Sequence, residues 1–360
     1  MTSEIQSLGD SAPPYAVLAS PGFAAWLHQE NMALAITTYQ IGKLFMIGAN
    51  SPERLSVTER TFQRCLGIAA TPTSMYLAGL NNIVRFENVV PPGQHLEGYD
   101  AVYVPRIAWY TGDVFSHDVA IARSGRPIFV NTMFSCLAAV DQSASFRPVW
   151  KPPFISELKP GDKCHLNGLA MEAGQPRFVT AAAQSDTPGG WREQRSGGGC
   201  VIDVASNEIV AHGLCMPHSP RLHDGILFIC NAGTGELGMI ALDSGRFEPI
   251  AFCPGFVRGL AVHRGHALVG LSLPRQSEAF RGLPLDERLK QDGRAAECVV
   301  QVIDLVRGKM VHWLRLGGVV RELYDIALLP GLRKPMVVGF AQDQINRLIM
   351  RGAPLELAEL

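Results

Sequence analysis

The sequence predicts an all-β fold, specifically a β-propeller. Three observations lead there: a strand–turn–strand pattern that recurs seven times, turn residues that separate the short strands throughout, and a near absence of helical periodicity.

The recurring unit is a short strand, a turn and a second, more apolar strand. In chain order the copies read "ALAITTYQIGKLFMIGA", "CLGIAATPTSMYLAGL", "DVAIARSGRPIFVNT", "NGLAMEAGQPRFVTA", "HSPRLHDGILFICNA", "RGLAVHRGHALVGLS" and "YDIALLPGLRKPMVVGF". Five are followed by a further hairpin, such as "GGCVIDVASNEIVAHGL", "LGMIALDSGRFEPIAF" and "VVQVIDLVRGKMVHWLRL". Ser-Asn, Ser-Gly and Arg-Gly in those turns suit tight reversals. Four antiparallel strands recurring at roughly 40–50 residues is the period of a propeller blade. One such sheet cannot bury both of its faces, whereas a ring of them can, and the ring leaves only short edges. Seven copies predict seven blades. The short spacing between the first two copies makes six blades plus an N-terminal hairpin the alternative.

Residues 1–31 read as an N-terminal segment carrying the one fair helix candidate, "SPGFAAWLHQEN" (Ser20 to Asn31), with Ser at the N-cap and Pro at the first helical position. Residues 32–360 read as a single propeller domain, since no linker-like tract separates the copies. The polar insertion "LPRQSEAFRGLPLDERLKQDGRAAE" after the sixth copy is expected to lie as a loop or short helix over one mouth of the ring.

Composition narrows the partners. The 360 residues are 47% hydrophobic and 18% charged, with a net charge of -1, which gives no electrostatic reason to expect nucleic acid or an anionic membrane surface. No apolar run reaches the roughly 18 residues of a membrane span. The start, "MTSEIQSLGDSAPPY", lacks the basic and apolar regions of a secretory signal. Eight scattered cysteines form no Cys-x-x-Cys pair, so no structural zinc site is signalled. Reduced thiols in a cytoplasmic protein are the simplest expectation.

In a propeller the first strand of each blade lines the central channel, and the loops entering it gather at one mouth. The residues just before the apolar core of each copy are Met32, Arg64, Asp118, Asn167, His218, Arg258 and Tyr324. Polar strand starts beside a wet channel account for such a ring without any function. The convergence of Asp, Asn, His, two Arg and Tyr also suits a metal or a small anionic ligand.

Histidine adds to this ring. "SHDVA", "CHLNGLA" and "PHSPR" bring His117, His165 and His218 to three strand entrances. Three neutral imidazoles suit one divalent transition metal such as Zn, Fe, Cu or Ni. Asp118, Asn167 and His218 form an alternative mixed set. A single histidine at a strand start is more often plain hydrogen-bonded structure. Arg258, Arg64 and the nearby Arg221 are candidate clamps for a carboxylate or phosphate, with ion pairing to Asp118, Asp325 or Glu322 as the structural alternative. Tyr324 and Glu322 are the candidate acid and base. Trp191 in "TPGGWRE" is either a ligand-facing aromatic on a mouth loop or a blade cap. "GTGELG" reads as a turn, since no helix opens after it. Ser135 lacks a nucleophile-elbow pattern, and His223 reads as solvated.

The motifs "KPPFISELKPGDKCHLNGLAM", "GGWRE", "MPHSPR", "GTGELG", "PGFVRGLAV" and "ELYDIALLPG" resemble a bacterial family of conserved hypothetical, propeller-like proteins of unknown function. The resemblance runs from "LAITTYQIGKLFMIG" onward and implies one intact domain, but no reaction. Where members often carry an aromatic after "HSPR", this chain has Leu222. A looser, fold-level similarity is to gluconolactonase-type propellers. Only Asn167, Gly168 and Asp118 match those in kind, and their full acidic ligand set is not evident.

The expectation is therefore an enzyme with a central, metal-dependent site acting on a small molecule or peptide side chain, by hydrolase, lyase or isomerase chemistry. A metal would be held by His117, His165 and His218, or by the mixed set. Two other classes stand beside it: a scaffold binding a peptide or sugar at the channel mouth without turnover, and a structural partner presenting an exposed apolar patch.

Overall fold

The computed structural model of the protein describes residues 15–274 and 280–352. Within it, six antiparallel sheets are arranged as the blades of a β-propeller. Their innermost strands, in ring order, are Leu323–Pro330 (blade 1), Ile68–Ala70 (blade 2), Ser116–Ile121 (blade 3), Leu166–Glu172 (blade 4), Pro217–His223 (blade 5) and Phe256–His263 (blade 6).

The ring has six blades, not the seven expected. The first and seventh sequence copies are two parts of one sheet. Leu323–Pro330 pairs antiparallel with Met32–Thr38, running from Met32 opposite Pro330 to Thr38 opposite Leu323. The chain's last inner strand thus closes the N-terminal blade with a backbone ladder. Met32 consequently lies on a second strand rather than on the channel wall. The short spacing after the first copy was the sequence signal for this, because that copy lacks its own inner strand.

Two blades gain a fifth strand. Val17–Ala19 adds to the outer edge of blade 6, and Pro335–Val337 runs parallel to the outer strand Ala101–Tyr110 of blade 2. Both devices cover part of an otherwise open edge. The core lies between blades: Met32–Thr38 is buried at every residue, because both faces of the sheet meet a neighbour. Such strands read as continuous apolar runs rather than alternating ones.

The N-terminal helix is shorter than expected, Phe23–Gln29, with Gly22 rather than Ser20 at its N-cap. Asn31, at φ 48°, turns the chain out of the helix into the first strand. The insertion forms a helix, Pro284–Gln291, which buries Leu285 and Leu289 and joins Arg288 to Glu236 at 2.7 Å. It packs on the short turn Ala232–Thr234, so "GTGELG" is a turn as expected. Residues 275–279 of the insertion lie outside the described residues.

Candidate functional site

The inner strands carry a shared irregularity. In five of the six, the register with the second strand shifts near the channel mouth: opposite Val130, Thr180, Ile229, Val269 and Thr37. Each shift is a β-bulge, in which extra residues on one strand oppose a single partner. A regular strand points consecutive side chains to opposite faces. The bulge breaks that rule, so neighbouring residues such as His117 and Asp118 both take part in the channel, at two different depths.

Alternate blades divide the work. Blades 1, 3 and 5 contribute Tyr324–Asp325, His117–Asp118 and His218–Ser219, while blades 2, 4 and 6 contribute Leu66–Gly67, Asn167–Gly168 and Arg258–Gly259. The deeper side chains of the first set hold backbone N–H groups at the glycine-bearing strands. Asp325 accepts from Ile68 at 3.0 Å, Asp118 from Leu169 at 3.0 Å, and Ser219 from Gly259 at 2.9 Å. The glycines permit this close approach. A Cβ on Gly168 would stand 2.3 Å from Pro220 Cδ, and one on Gly259 2.9 Å from Asp325 Cα.

The upper layer is the mouth. His117 and His165 lie with ring centroids 4.7 Å apart, and His117 and His218 6.2 Å apart, so the three predicted histidines do come together from three blades. All three are buried. Around them stands a wall of aromatic rings. Phe115 lies 4.6 Å from His117, Trp191 stacks 4.2 Å over His165, Phe256 meets the edge of His218 at 5.8 Å, and Tyr39 stacks on Tyr324 at 6.0 Å. Phe280, from the insertion, packs against Phe256, which brings the insertion to this mouth as expected.

Hydrogen bonds fix the state of two imidazoles. Thr132 gives its hydroxyl proton to the Leu166 carbonyl at 2.5 Å. The His117 Nδ1–H therefore donates, to Thr132 Oγ1 at 2.7 Å and the Phe115 carbonyl at 3.0 Å, leaving a lone pair on Nε2. Burial holds the His117 pKa well below the ordinary histidine range, with His165 and His218 adding to the effect, so this ring is neutral. His165 Nδ1 lies 3.0 Å from each oxygen of Asp162, and Trp191 donates its indole N–H to the same carboxylate at 2.9 Å. This gives Trp191 a place at the mouth, on the short helix Trp191–Gln194.

The charged candidates separate. Arg258 is buried at the mouth, donating to Glu322 at 3.0 Å and the Leu323 carbonyl at 3.0 Å, with its guanidinium 4.6 Å from the Tyr324 ring centre. Glu322 is thus the ion partner of Arg258. Arg64 stands on the rim, bonded to both oxygens of Asp113 at 2.9 Å. The ring position expected for it belongs to Leu66, two residues on. Asp118 and Arg221 do not join the histidines. They meet in the deeper layer, where Arg221 bonds to Asp118 at 2.9 Å and Asp325 at 3.2 Å. Asn167 is buried in the place that corresponds to Arg258. Its Oδ1 accepts from Thr180 at 2.7 Å, and its Nδ2 has no hydrogen-bond partner among the described residues. His223 is half-buried at the far end of its strand, 3.4 Å from Asp224.

Sequence reasoning missed Asp162, Thr132 and, apart from Trp191, the aromatic wall. Asp162 had a signal, since "DKCH" sets a carboxylate three residues before His165, close enough for a tight loop to join them. Among the described residues, no three His, Cys, Asp or Glu side chains are arranged to hold a metal ion.

Fold and mouth together define the class: a six-bladed β-propeller with a buried, histidine-bearing, aromatic-walled channel mouth. The chain belongs to the family described as a domain of unknown function, DUF4915, whose sequence profile matches residues 21–338. No curated protein sequence matches it. Among solved structures it is similar to a chain of a nidogen/laminin complex, at 10% identity and a TM-score of 0.53, covering 84% of this chain and 99% of that one. It also matches a virginiamycin B lyase from Staphylococcus aureus at 10% identity and a TM-score of 0.40, covering 71% and 96% of the two chains. A streptogramin B lyase matches at 9% identity and a TM-score of 0.40, covering 78% of each. At these identities the likeness is one of fold alone. Among the described residues, no helix is long and apolar enough to cross a membrane.

Proposed function

We propose that the channel mouth is the active site of an enzyme that moves protons on a small polar molecule, in hydrolase, lyase or isomerase chemistry. The observation carrying this reading is the Asp162–His165 pair, with both Asp162 oxygens 3.0 Å from His165 Nδ1. A carboxylate that takes the Nδ1–H orients the imidazole and fixes the tautomer that leaves Nε2 to act as a general base. The neutral His117, 4.7 Å away, supplies a second Nε2 lone pair that can take a hydrogen bond from the substrate. Arg258 and Tyr324 place positive charge and a phenol at the same mouth, suited to a substrate bearing a carboxylate or carbonyl.

The test is a turnover screen over carboxylate-bearing esters, lactones and 2-hydroxy acids, run on the wild type and on His165→Ala. A conversion lost by 100-fold or more in folded His165→Ala supports the reading. Ligand binding at the mouth with no chemical change in any bound compound sinks it, and identifies a peptide- or sugar-binding scaffold instead.

One observation favours a metal-dependent version of the same enzyme. Metal-bound histidines characteristically commit their second ring nitrogen to a carboxylate or carbonyl, and His117 and His165 both do so. His117 and His165 use Nδ1 in these bonds and His218 is the third candidate, but among the described residues no three His, Cys, Asp or Glu side chains are arranged to hold an ion, so the donor set is not assembled as it stands. A bound Zn or related ion would polarise a carbonyl or activate water there. Metal content of the purified protein, compared with His218→Ala, decides between the versions.

A further inference from the structure

The deeper layer of the channel closes it. Asp325, Asp118 and Arg221 reach the axis from blades 1, 3 and 5, and their hydrogen bonds tie the three blades together. Below this plug, on the face opposite the histidines, a cavity of about 410 Å³ opens to solvent. Each blade contributes to its wall near the end of its inner strand: Ala70, Ile121, Met171, Leu222, Val262 and Leu328. Its floor is Asp118 and Arg221.

The plug behind that floor carries an unbalanced charge, since Asp325, which does not itself line the cavity, shares Arg221 with Asp118. Two carboxylates share one guanidinium, leaving one negative charge uncompensated. Both carboxylate side chains are only 4–5% exposed, where an unpaired charge is costly. Two other titratable groups face this region: the Cys230 thiol, kept neutral by burial, and His223 on the cavity wall, 3.4 Å from Asp224 at the solvent end. Arg221 has nothing left to offer an anion. Its donors go to the Leu260, Leu169 and Pro220 carbonyls and to the two aspartates. Asp118 Oδ1, by contrast, has only a long 3.5 Å contact to Arg221 and keeps room to accept.

We propose that this second cavity binds an organic monocation, a protonated amine with a compact aliphatic body, whose ammonium group donates to Asp118 and whose body lies against the aliphatic wall. An inorganic cation would supply the charge but leave the apolar walls uncovered. The site is separate from the histidine mouth and does not depend on the function proposed there.

Proton linkage supports this assignment. Burial, with Asp118 adding to it and Arg221 opposing it, pushes the Asp325 pKa up to about 7. Without a ligand the plug therefore takes up a proton near neutrality to balance its charge. An arriving ammonium makes that proton unnecessary, so binding releases it.

The test is calorimetric titration of the full chain with cyclohexylammonium, using cyclohexanol and potassium ion as the other arms. Cyclohexylammonium is expected to bind about tenfold more tightly at pH 8 than at pH 6, in the wild type and in His223→Asn alike, because the amine itself stays protonated over this range and the proton released is the plug's. At pH 6 the heat should vary with the buffer's ionisation enthalpy, reporting proton release. Leu222→Trp, which narrows the open end without touching the charges, should weaken binding at least tenfold, as should Asp118→Asn where it folds. His165→Ala should bind as the wild type does. Equal binding of cyclohexanol, full competition by equimolar potassium, or an unchanged affinity in Leu222→Trp would overturn the proposal.

Discussion

His165 and Asp162 are held together by the four-residue turn 162–165, in which both residues adopt positive φ, 51° and 46°. That backbone turns the imidazole back onto the carboxylate, with Nδ1 3.0 Å from both oxygens. Non-glycine residues reach this region at some cost in energy, which persists only where the surroundings impose it. Here the surroundings are Trp191, stacked on one partner and bonded to the other. Asp162→Asn should therefore leave the fold intact while releasing the imidazole. The expected result is a fall in kcat of about 100-fold or more for whatever conversion the mouth performs, with KM changed only a few-fold. NMR of the imidazole nitrogens gives an independent reading: the protonated Nδ1 signal of His165 should be lost or moved in the variant. An unchanged signal would show that Asp162 does not set the tautomer.

The repeat, the propeller and the meeting of His117, His165 and His218 were legible in the sequence because they rest on local pattern. The blade count was not, since the copies "ALAITT" and "YDIALL" look alike and only ring closure makes them partners in one sheet. Arg64 and Asp118 were misplaced for another reason. Reading one polar residue per strand assumes regular alternation, and the bulges let both His117 and Asp118 into the channel. The alternation of "YDIA", "HDVA" and "HSPR" with "LGIA", "NGLA" and "RGLA" is visible in the chain. Aligning on its glycines would have put Leu66, Asn167 and Arg258 in register. No pattern in the sequence announces the aromatic wall, because Tyr39, Phe115, Trp191 and Phe256 come from four different loops or strand ends.

His117 ties stability to pH. Its folded pKa is depressed below the unfolded value of about 6.5. Its contribution is therefore fully present above pH 6.5 and is lost as pH falls through the folded value. The loss approaches about 1.4 kcal/mol per pH unit for one proton taken up on unfolding. Thermal unfolding of the wild type between pH 8 and pH 5 should show a falling Tm. His117→Asn, whose amide does not titrate, should flatten that fall. An equal slope in both proteins would remove His117 as the cause.

The Arg258–Glu322 pair predicts an asymmetry between single and double variants. Their side chains are 5% and 8% exposed. Glu322→Ala removes a carboxylate bonded to a buried guanidinium and should cost about 3–5 kcal/mol. Replacing both with apolar residues, Arg258→Met with Glu322→Leu, should recover most of that loss, since both charges of the buried pair are then gone. Denaturant unfolding measures both. A double variant as unstable as Glu322→Ala would mean that the pair stabilises the protein by more than mutual compensation.

The glycines at the channel give the most direct check of how closely the inner strands approach. Gly168→Ala would drive a methyl to 2.3 Å from Pro220 Cδ and 2.5 Å from Thr180 Oγ1, so blades 4 and 5 would have to part. Gly259→Ala meets backbone atoms of Tyr324 and Asp325 at 2.9 Å and also sits at φ 73°. Overpacking of this kind costs about 1–3 kcal/mol, with about 1 kcal/mol more where the backbone is left-handed. Gly225 separates the two effects, because its φ is 79° but no atom lies within 4 Å of an added Cβ. Gly225→Ala should lose only the backbone contribution. The expected order of Tm loss is Gly259→Ala greatest, Gly168→Ala next and Gly225→Ala least. Gly225→Ala losing as much as Gly259→Ala would show that backbone conformation, rather than blade-to-blade contact, requires glycine at position 259.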